Sequence, residues 1–430
     1  MKKINILVFP CGSEVGLELH QALKDVSFIT LVGASSVSGH GKYVYEHYFE
    51  GLPIVGDPAF LDQFNTLLQE QQIDFIYPAI DEVLEVLSAN REQLCAELIA
   101  SPHDAVHVCR SKKRTYKRLH GLSFTPQTYD DPEEITQFPV IIKPEEGYGA
   151  KGFCILQTRE ELRQQLAASS TSNVICEYLR GEEYTIDCFT NRHGDLQYVS
   201  CRSRKRIRNG ISVNSVLEPH DSRIDEIARR ISDRITMRGV WFFQLKKNDR
   251  DEYKLLEVAT RVAGTMCIER AAGVNLPLLS IFDMMGYDVN IARQFDTVEV
   301  DRALYNTYLL PMKFTEVYLD FDDTVIVHGK INLNLMRYLY QCVNDGIEIK
   351  LITKHDADIR ESLSRYKIAL ELFDEIIHID RFQRKCDAIH PSKNALFIDD
   401  SFAERMEMQQ AHGIVVLGVD SVEALLDYRQ

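Results

Sequence analysis

Residues 138–152 read FPVIIKPEEGYGAKG. An apolar, β-branched run delivers Lys143 and Pro144, and glycines at 147, 149 and 152 follow at once. This order sets a fixed ammonium beside backbone that approaches an anion closely, because glycine has no side chain to hold a phosphate away. The stretch is not a Walker P-loop, since Lys151 precedes Gly152 and no Gly-Lys-Ser/Thr opens a helix. Taken alone it reads equally well as an ordinary glycine hairpin between strands, so its meaning rests on its surroundings.

A chain of 430 residues has room for about three domains. The 64 acidic residues outnumber the 49 basic ones, and the formal charge of -15 argues against a nucleic-acid coat or a binder of anionic membranes. Ten cysteines are scattered without CxxC pairs or zinc spacing, which reads as core thiols in a reducing compartment. The apolar run near the N-terminus is too short for a signal peptide. No stretch approaches the ~18 apolar residues of a membrane span, so the expectation is a cytoplasmic protein without a membrane partner.

The chain opens as a βαβ pattern: INILVFP (4–10), a helical stretch through Ala22, and FITLVG (28–33). A helix near 58–70, the strand DFIYPA (74–79) and a helix near 82–100 continue the alternation. Gly12 and Gly16 lack the third glycine of a dinucleotide fingerprint and read as turn residues. Asp81 and Glu82 stand where such sheets bind ligands, and equally where acids favour a helix start. SKKRTYKRLHGL (111–122) reads as a basic helix with a solvated face.

Downstream, SNVICEYLRGEEYTIDCFT (172–190) reads as two strands about a tight turn at Arg180-Gly181, with Glu177 and Glu183 flanking it. Carboxylates at such a hinge suit ribose hydroxyls, and they are also ordinary turn acids. In CRSRKRIRNG (201–210), strand alternation would send Arg202, Arg204, Arg206 and Arg208 to one face, as an anion pocket requires. VWFFQLKKNDRDEYKLLEVATR (240–261) is a hairpin. Pairing Lys246 with Tyr253 puts Gln244 opposite Leu255, with Glu257 one diagonal away, so that two oxygen donors share a face suited to Mg²⁺. A covering helix is expected within 271–286.

Lys143 with its glycine loop, the Glu177–Glu183 hinge and the Gln244–Glu257 hairpin ending at Arg261 occur in an order that resembles the ATP-grasp superfamily. The likeness is nearest to the carbamoyl phosphate synthetase large subunit and related carboxylate-amine ligases, and covers roughly 1–295. It implies an α/β chain with an N-terminal parallel αβ pre-ATP-grasp domain (1–110) and an α+β ATP-grasp domain (111–300). It also implies that Lys112, Lys143 and Gly149 contact ATP phosphates, that Glu177, Tyr178 and Leu179 hold adenine, and that Glu183 binds ribose. Gln244 and Glu257 would bind Mg²⁺ (or Mn²⁺), Arg261 would stabilise the reacting groups, and Arg204 and Arg206 would line the acceptor side. The family usually has asparagine two residues after the metal-binding glutamate, where this chain has Ala259.

The last third changes to compact βα alternation. EVYLDFDDTV (316–325) ends in Asp320, Asp322, Asp323 and Thr324, IEIKLITK (347–354) carries Thr353, and NALFIDDS (394–401) carries Asp399 and Asp400. Parallel strands would bring these groups to one edge, where so many carboxylates repel unless a divalent cation sits among them. The set resembles the haloacid dehalogenase superfamily, and implies a Rossmann-like domain (315–430) too short between motifs to carry a cap. By that resemblance Asp320 is the nucleophile and Asp322 the general acid and base, while Thr353 and a lysine hold the phosphoryl oxygens; Lys385, opening a helix, fits best, with Lys354 and Lys393 as substitutes. Asp320, Asp322, Asp399 and Asp400 would hold Mg²⁺. The expected protein is a bifunctional ligase and phosphatase acting on a small carboxylate, an amine and a phosphate ester. A homodimer is compatible with this, and no nucleic-acid partner is expected. Its rivals are an ATP-binding regulatory module and a nucleic-acid end-processing enzyme.

Overall fold

The β-branched run INILVF forms β1 (Ile4–Phe9), which is almost wholly buried. With β2 (Ile29–Ser35), β3 (His47–Glu50), β4 (Phe75–Pro78) and β5 (Glu97–Leu98) it makes a parallel sheet in the order β3-β2-β1-β4-β5. Strand order reverses at β1/β4, and such a switch point opens a crevice beyond the strands' carboxyl ends. Ser13 and Asp81, each at the start of the helix that follows one of these strands, stand at that edge. The computed structural model describes residues 2–147, 152–169 and 171–429. The chain forms two compact units, one running to Leu304 and the other starting at Tyr305. All ten cysteines are free thiols; six, including Cys11, Cys188 and Cys342, are buried, while Cys95 is exposed.

Gly12 lies in a turn, as expected, whereas Gly16 does not, standing within the helix that follows. The helix Glu14–Leu23 instead runs so close to the preceding loop that a Cβ on Gly16 would lie 2.5 Å from the Cys11 carbonyl oxygen. The Tyr45 hydroxyl, donating to the Gly16 carbonyl at 2.6 Å, fixes the approach from the other side.

Two antiparallel sheets complete the first unit. Strands β6 (Thr128–Tyr129), β7 (Val140–Pro144), β8 (Cys154–Leu156) and β9 (Asn173–Glu177) lie in the order β6-β9-β7-β8. Strands β10 (Glu183–Thr190), β11 (Leu196–Arg208), β12 (Ile211–Leu217), β13 (Gly239–Lys247), β14 (Tyr253–Ala259) and β15 (Glu299–Asp301) lie in the order β14-β13-β10-β11-β12-β15. The expected hairpin about Arg180 is thus a crossing from one sheet to the other. Gly181 allows it, since a Cβ there would meet the Lys247 carbonyl at 2.7 Å. Of the glycine loop, residues 148–151, Gly149 among them, lie outside the described residues.

Bulges correct two expectations about register. In β13/β14, Lys247 pairs with Tyr253 and Leu245 with Leu255, and a shift then sets Gln244 directly opposite Glu257. The extra residue, Leu256, turns its carbonyl toward Tyr116 and Lys143. In β11, shifts between Arg204 and Arg206 and between Arg206 and Ile207 break the single arginine face.

The second unit is built on β16 (Glu316–Leu319), the short hairpin β17 (Ile326–Val327) and β18 (Lys330–Ile331), β19 (Glu348–Thr353), β20 (Glu375–His378), β21 (Ala395–Ile398) and β22 (Val415–Leu417). Its parallel sheet has the order β20-β19-β16-β21-β22, with the switch point at β16/β21. Between β16 and β19 the chain holds only that hairpin and the helix Leu333–Asp345. Lys385 opens a three-residue 3-10 turn, Lys385–Asp387, in place of the expected helix. Pro391 steers the residue before it away from helical geometry and leaves little length for one.

The close approach at Gly16 makes a direct prediction. Gly16→Ala should lower stability by about 1–3 kcal/mol in denaturant titrations. Gly39→Ala, where the added carbon has nothing within 4 Å, should change it by less than about 0.5 kcal/mol in the destabilising direction.

Candidate active sites

In the first unit a cavity of about 430 Å³ is lined by Ser13 and Asp81 from the parallel sheet's edge, Lys112 from the basic helix, and Arg204, Gln244, Glu257 and Arg261 from the six-stranded sheet and its exit. Its size is that of a small-molecule site. Ser111 caps the helix Lys112–Arg118 through the Arg114 amide, which sets Lys112 at the first helical position.

Arg261 does not point freely into the cavity. It grips both oxygens of Asp81, at 2.8 and 2.7 Å, and lies over the Phe242 ring. Burial alone would raise the Asp81 pKa, but Arg261 outweighs it and holds the carboxyl below its ordinary value. Arg204 donates to Glu183, to Gln244 Oε1 at 3.0 Å and to the Gly210 carbonyl at 2.7 Å, while its buried Nε has no partner among the described residues. It therefore links the hinge acid Glu183 to the Gln244–Glu257 pair. Arg206 is not brought to the cavity; beyond the bulges it pairs with Asp301 at the exposed side of the sheet.

Lys143 is buried and away from the cavity lining. Its Nζ donates to the Tyr116 hydroxyl at 2.8 Å and the Leu256 carbonyl at 3.2 Å, and burial pushes its pKa below the ordinary lysine value. At the hinge, Glu177 Oε1 accepts from the Gln127 amide at 2.8 Å, Leu179 is buried and Tyr178 half-buried. Ala259 pairs with Phe242 and lines the cavity without offering a ligand atom. Gln244 and Glu257 are oxygen donors of the kind Mg²⁺ takes from a protein when phosphates complete its shell, so the pair fits that ion.

In the second unit Asp320, Asp399 and Asp400 offer oxygens that all lie within 4.8 Å of one another. Lys385, expected among the phosphoryl-holding residues, also supplies a compensating charge here. Its ammonium lies 2.7 Å from Asp320 and 2.6 Å from Asp399. Burial disfavours that ammonium, yet the two carboxylates hold its pKa above the ordinary lysine value. Burial, opposed by Lys385 and reinforced by Asp399, pushes the Asp320 carboxyl up to about 6. One ammonium among three carboxylates still leaves negative charge, and hard oxygen donors so gathered fit Mg²⁺ or Mn²⁺. Asp322 stands outside this cluster, bonded to His355 instead, which corrects its place among the metal ligands. Thr353 is buried, with its hydroxyl oxygen accepting from the His355 amide at 3.2 Å.

A parallel αβ sheet followed by two antiparallel sheets, with cations and oxygen donors around the cavity, defines an ATP-grasp fold for the first unit. Residues 169–303 match the sequence family described as ATP-grasp in the biosynthetic pathway with Ter operon. A D-alanine--D-alanine ligase of Fusobacterium nucleatum subsp. nucleatum is 30% identical over 107 residues, which are 25% of this chain and 35% of that protein. The chain thus spans about a third of that relative's length. The biotin carboxylase domain of Hydrogenobacter thermophilus 2-oxoglutarate carboxylase, solved with MgADP, ADP and bicarbonate, has a TM-score of 0.57 at 14% identity, over 68% of this chain and 72% of that one. N5-carboxyaminoimidazole synthetase from Staphylococcus aureus gives 0.57 at 14%, over 67% and 79%. At these identities the structural likeness is one of fold. Among the described residues no helix is long and apolar enough to cross a membrane.

Arg202, from the arginine run, lines the cavity and leads into a buried network. Arg202 bonds Asp187 at 2.6 and 3.2 Å and reaches Thr265. Nearby, Glu269 accepts from the Tyr198 hydroxyl at 2.6 Å, and its Oε1 has no partner among the described residues. Burial, then the charge of Asp187, pushes Glu269 up to about 7 from 4.5. A carboxyl that holds its proton longer in the folded chain stabilises fully below pH 4.5, and that contribution is lost as pH rises through about 7. Glu269→Gln should therefore remove about 3 kcal/mol of pH dependence between pH 4.5 and 8 from the unfolding free energy. Equal slopes in the variant and the parent would contradict the assignment.

Proposed function

We propose that the chain is a bifunctional, cytoplasmic enzyme. Its first part is an ATP- and Mg²⁺-dependent carboxylate-amine ligase, with 1–110 as pre-ATP-grasp domain and 111–300 as ATP-grasp domain. Its second, 315–430, is a haloacid dehalogenase-like phosphomonoesterase without a cap.

The ligase reading rests on the Gln244–Glu257 pair facing a cavity that also holds Lys112, Arg204 and Arg261. A carboxylate oxygen attacks the γ-phosphorus of ATP, ADP leaves, and the amine then displaces phosphate from the acyl phosphate. Lys112 meets the phosphates from the cavity wall, with Lys143 behind it. The backbone from Glu177 through Leu179 receives adenine, and Glu183 the ribose. Arg261, held by Asp81, faces the reacting acyl group, and Arg204 the acceptor. Mg²⁺ held by Gln244 and Glu257 would neutralise phosphate charge. Such transfer is mostly positioning and charge neutralisation, which is what these residues offer.

The phosphatase reading rests on the Asp320, Asp399 and Asp400 cluster bridged by Lys385. Asp320 is the nucleophile, Asp322 moves the proton, and Thr353 and Lys385 hold the phosphoryl oxygens. Mg²⁺ held by the three aspartates would offset charge on the phosphoryl group. A second reading, nucleotide binding without transfer, draws on Ala259, which removes a usual metal ligand.

Purified full-length protein should release ADP from ATP only with the right pairing from a panel of carboxylates and amines. Glu257→Gln should lower that rate at least 100-fold while leaving phosphomonoester hydrolysis intact. Asp320→Asn should do the reverse. ADP formation excludes the binding-only reading; failure to hydrolyse any ester in a broad panel would sink the second activity.

A further inference from the structure

The two loops that leave the carboxyl ends of β16 and β19 are tied by one imidazole. His355 Nδ1 lies 2.8 and 3.0 Å from the two Asp322 oxygens, and Nε2 lies 2.8 Å from the Ser362 hydroxyl on the helix Ile359–Arg365. The ring stands edge-on to Phe321 with centroids 4.9 Å apart, and the His355 carbonyl accepts from His378 Nε2 at 2.7 Å. A neutral ring protonated on Nδ1 donates to Asp322 and accepts from Ser362, so one tautomer satisfies every contact. Asp322 is otherwise half in solvent, with a side chain 54% exposed, where a carboxyl samples several rotamers.

We propose that His355 is a positioning residue that holds the Asp322 carboxyl in the plane from which it delivers a proton to the leaving oxygen. The inference rests on the phosphomonoesterase reading. As an Asp320 oxygen bonds to phosphorus, the ester P–O bond breaks, and the leaving oxygen takes the proton of Asp322. Water then attacks the phosphorus, returning a proton to Asp322 and freeing Asp320 as carboxylate. The first proton matters most where the leaving group is a poor one, because a stable phenolate departs without it.

The test uses the full chain with Mg²⁺ and two esters, p-nitrophenyl phosphate and a simple alkyl phosphate. For His355→Ala, kcat/KM on the alkyl ester should fall 10–100-fold, and on the nitrophenyl ester less than about threefold, general-acid catalysis being worth roughly 10²–10⁴ in total. His355→Asn, whose amide offers a donor near the Nδ1 position, should recover much of the alkyl rate. Ser362→Ala, which frees the far side of the ring, should show the same selectivity more weakly and serves if the alanine variant does not fold. Equal losses on both esters, or none on either, would overturn the positioning role while leaving the phosphatase intact. If the parent protein hydrolyses neither ester, the phosphomonoesterase reading falls and this role falls with it.

Discussion

Charge taken out of water must be compensated, and that constraint shapes both candidate sites. In the second unit an ammonium at Lys385 stands between Asp320 and Asp399. Removing it would leave two buried carboxylates facing each other, which is costly where water cannot screen them. In the first unit Arg261 is matched by Asp81 and Arg202 by Asp187, each through two hydrogen bonds. These pairs hold guanidiniums rigid beside the cavity. Rigid charge needs no reorganisation when a phosphoryl group arrives, and this is the chief service a phosphoryl-transfer site offers.

The bulge at Leu256 shows how one inserted residue serves several ends. It sets Gln244 opposite Glu257 and aims a backbone carbonyl at Lys143 and Tyr116. Lys143 is thereby held by two oxygens within the protein, and among the described residues Lys112 is the lysine that lines the cavity. Both parallel sheets have the same strand order about their first strand, and in each the acids follow strands that flank the switch point. Asp81 follows β4 in one, while Asp320 and Asp399 follow β16 and β21 in the other.

Much of this was legible in the sequence because it depends on periodicity and on what ends each strand. The βα alternation, the acids after β16 and β21, and the Gln244–Glu257 hairpin could be read from local pattern. Partnerships across the fold could not. Asp81 stands 180 residues from Arg261, and neither carries a mark of the other. Bulges defeat counting by twos, so Arg206 left the arginine face and Gln244 gained Glu257 as its direct neighbour. His355 follows Thr353 by two positions, a spacing that could have drawn attention, but its bond to Asp322 depends on where two loops meet.

As proposed, the chain carries two separate oxygen-donor cation sites serving two chemistries. Mn²⁺ binding to the full-length protein, followed by electron paramagnetic resonance with and without ADP, tests this most directly. Two classes of site are predicted. Asp399→Asn should remove the class present without nucleotide, and Glu257→Gln the class that appears with it. A single class of site, or loss of both from either substitution, would contradict the account.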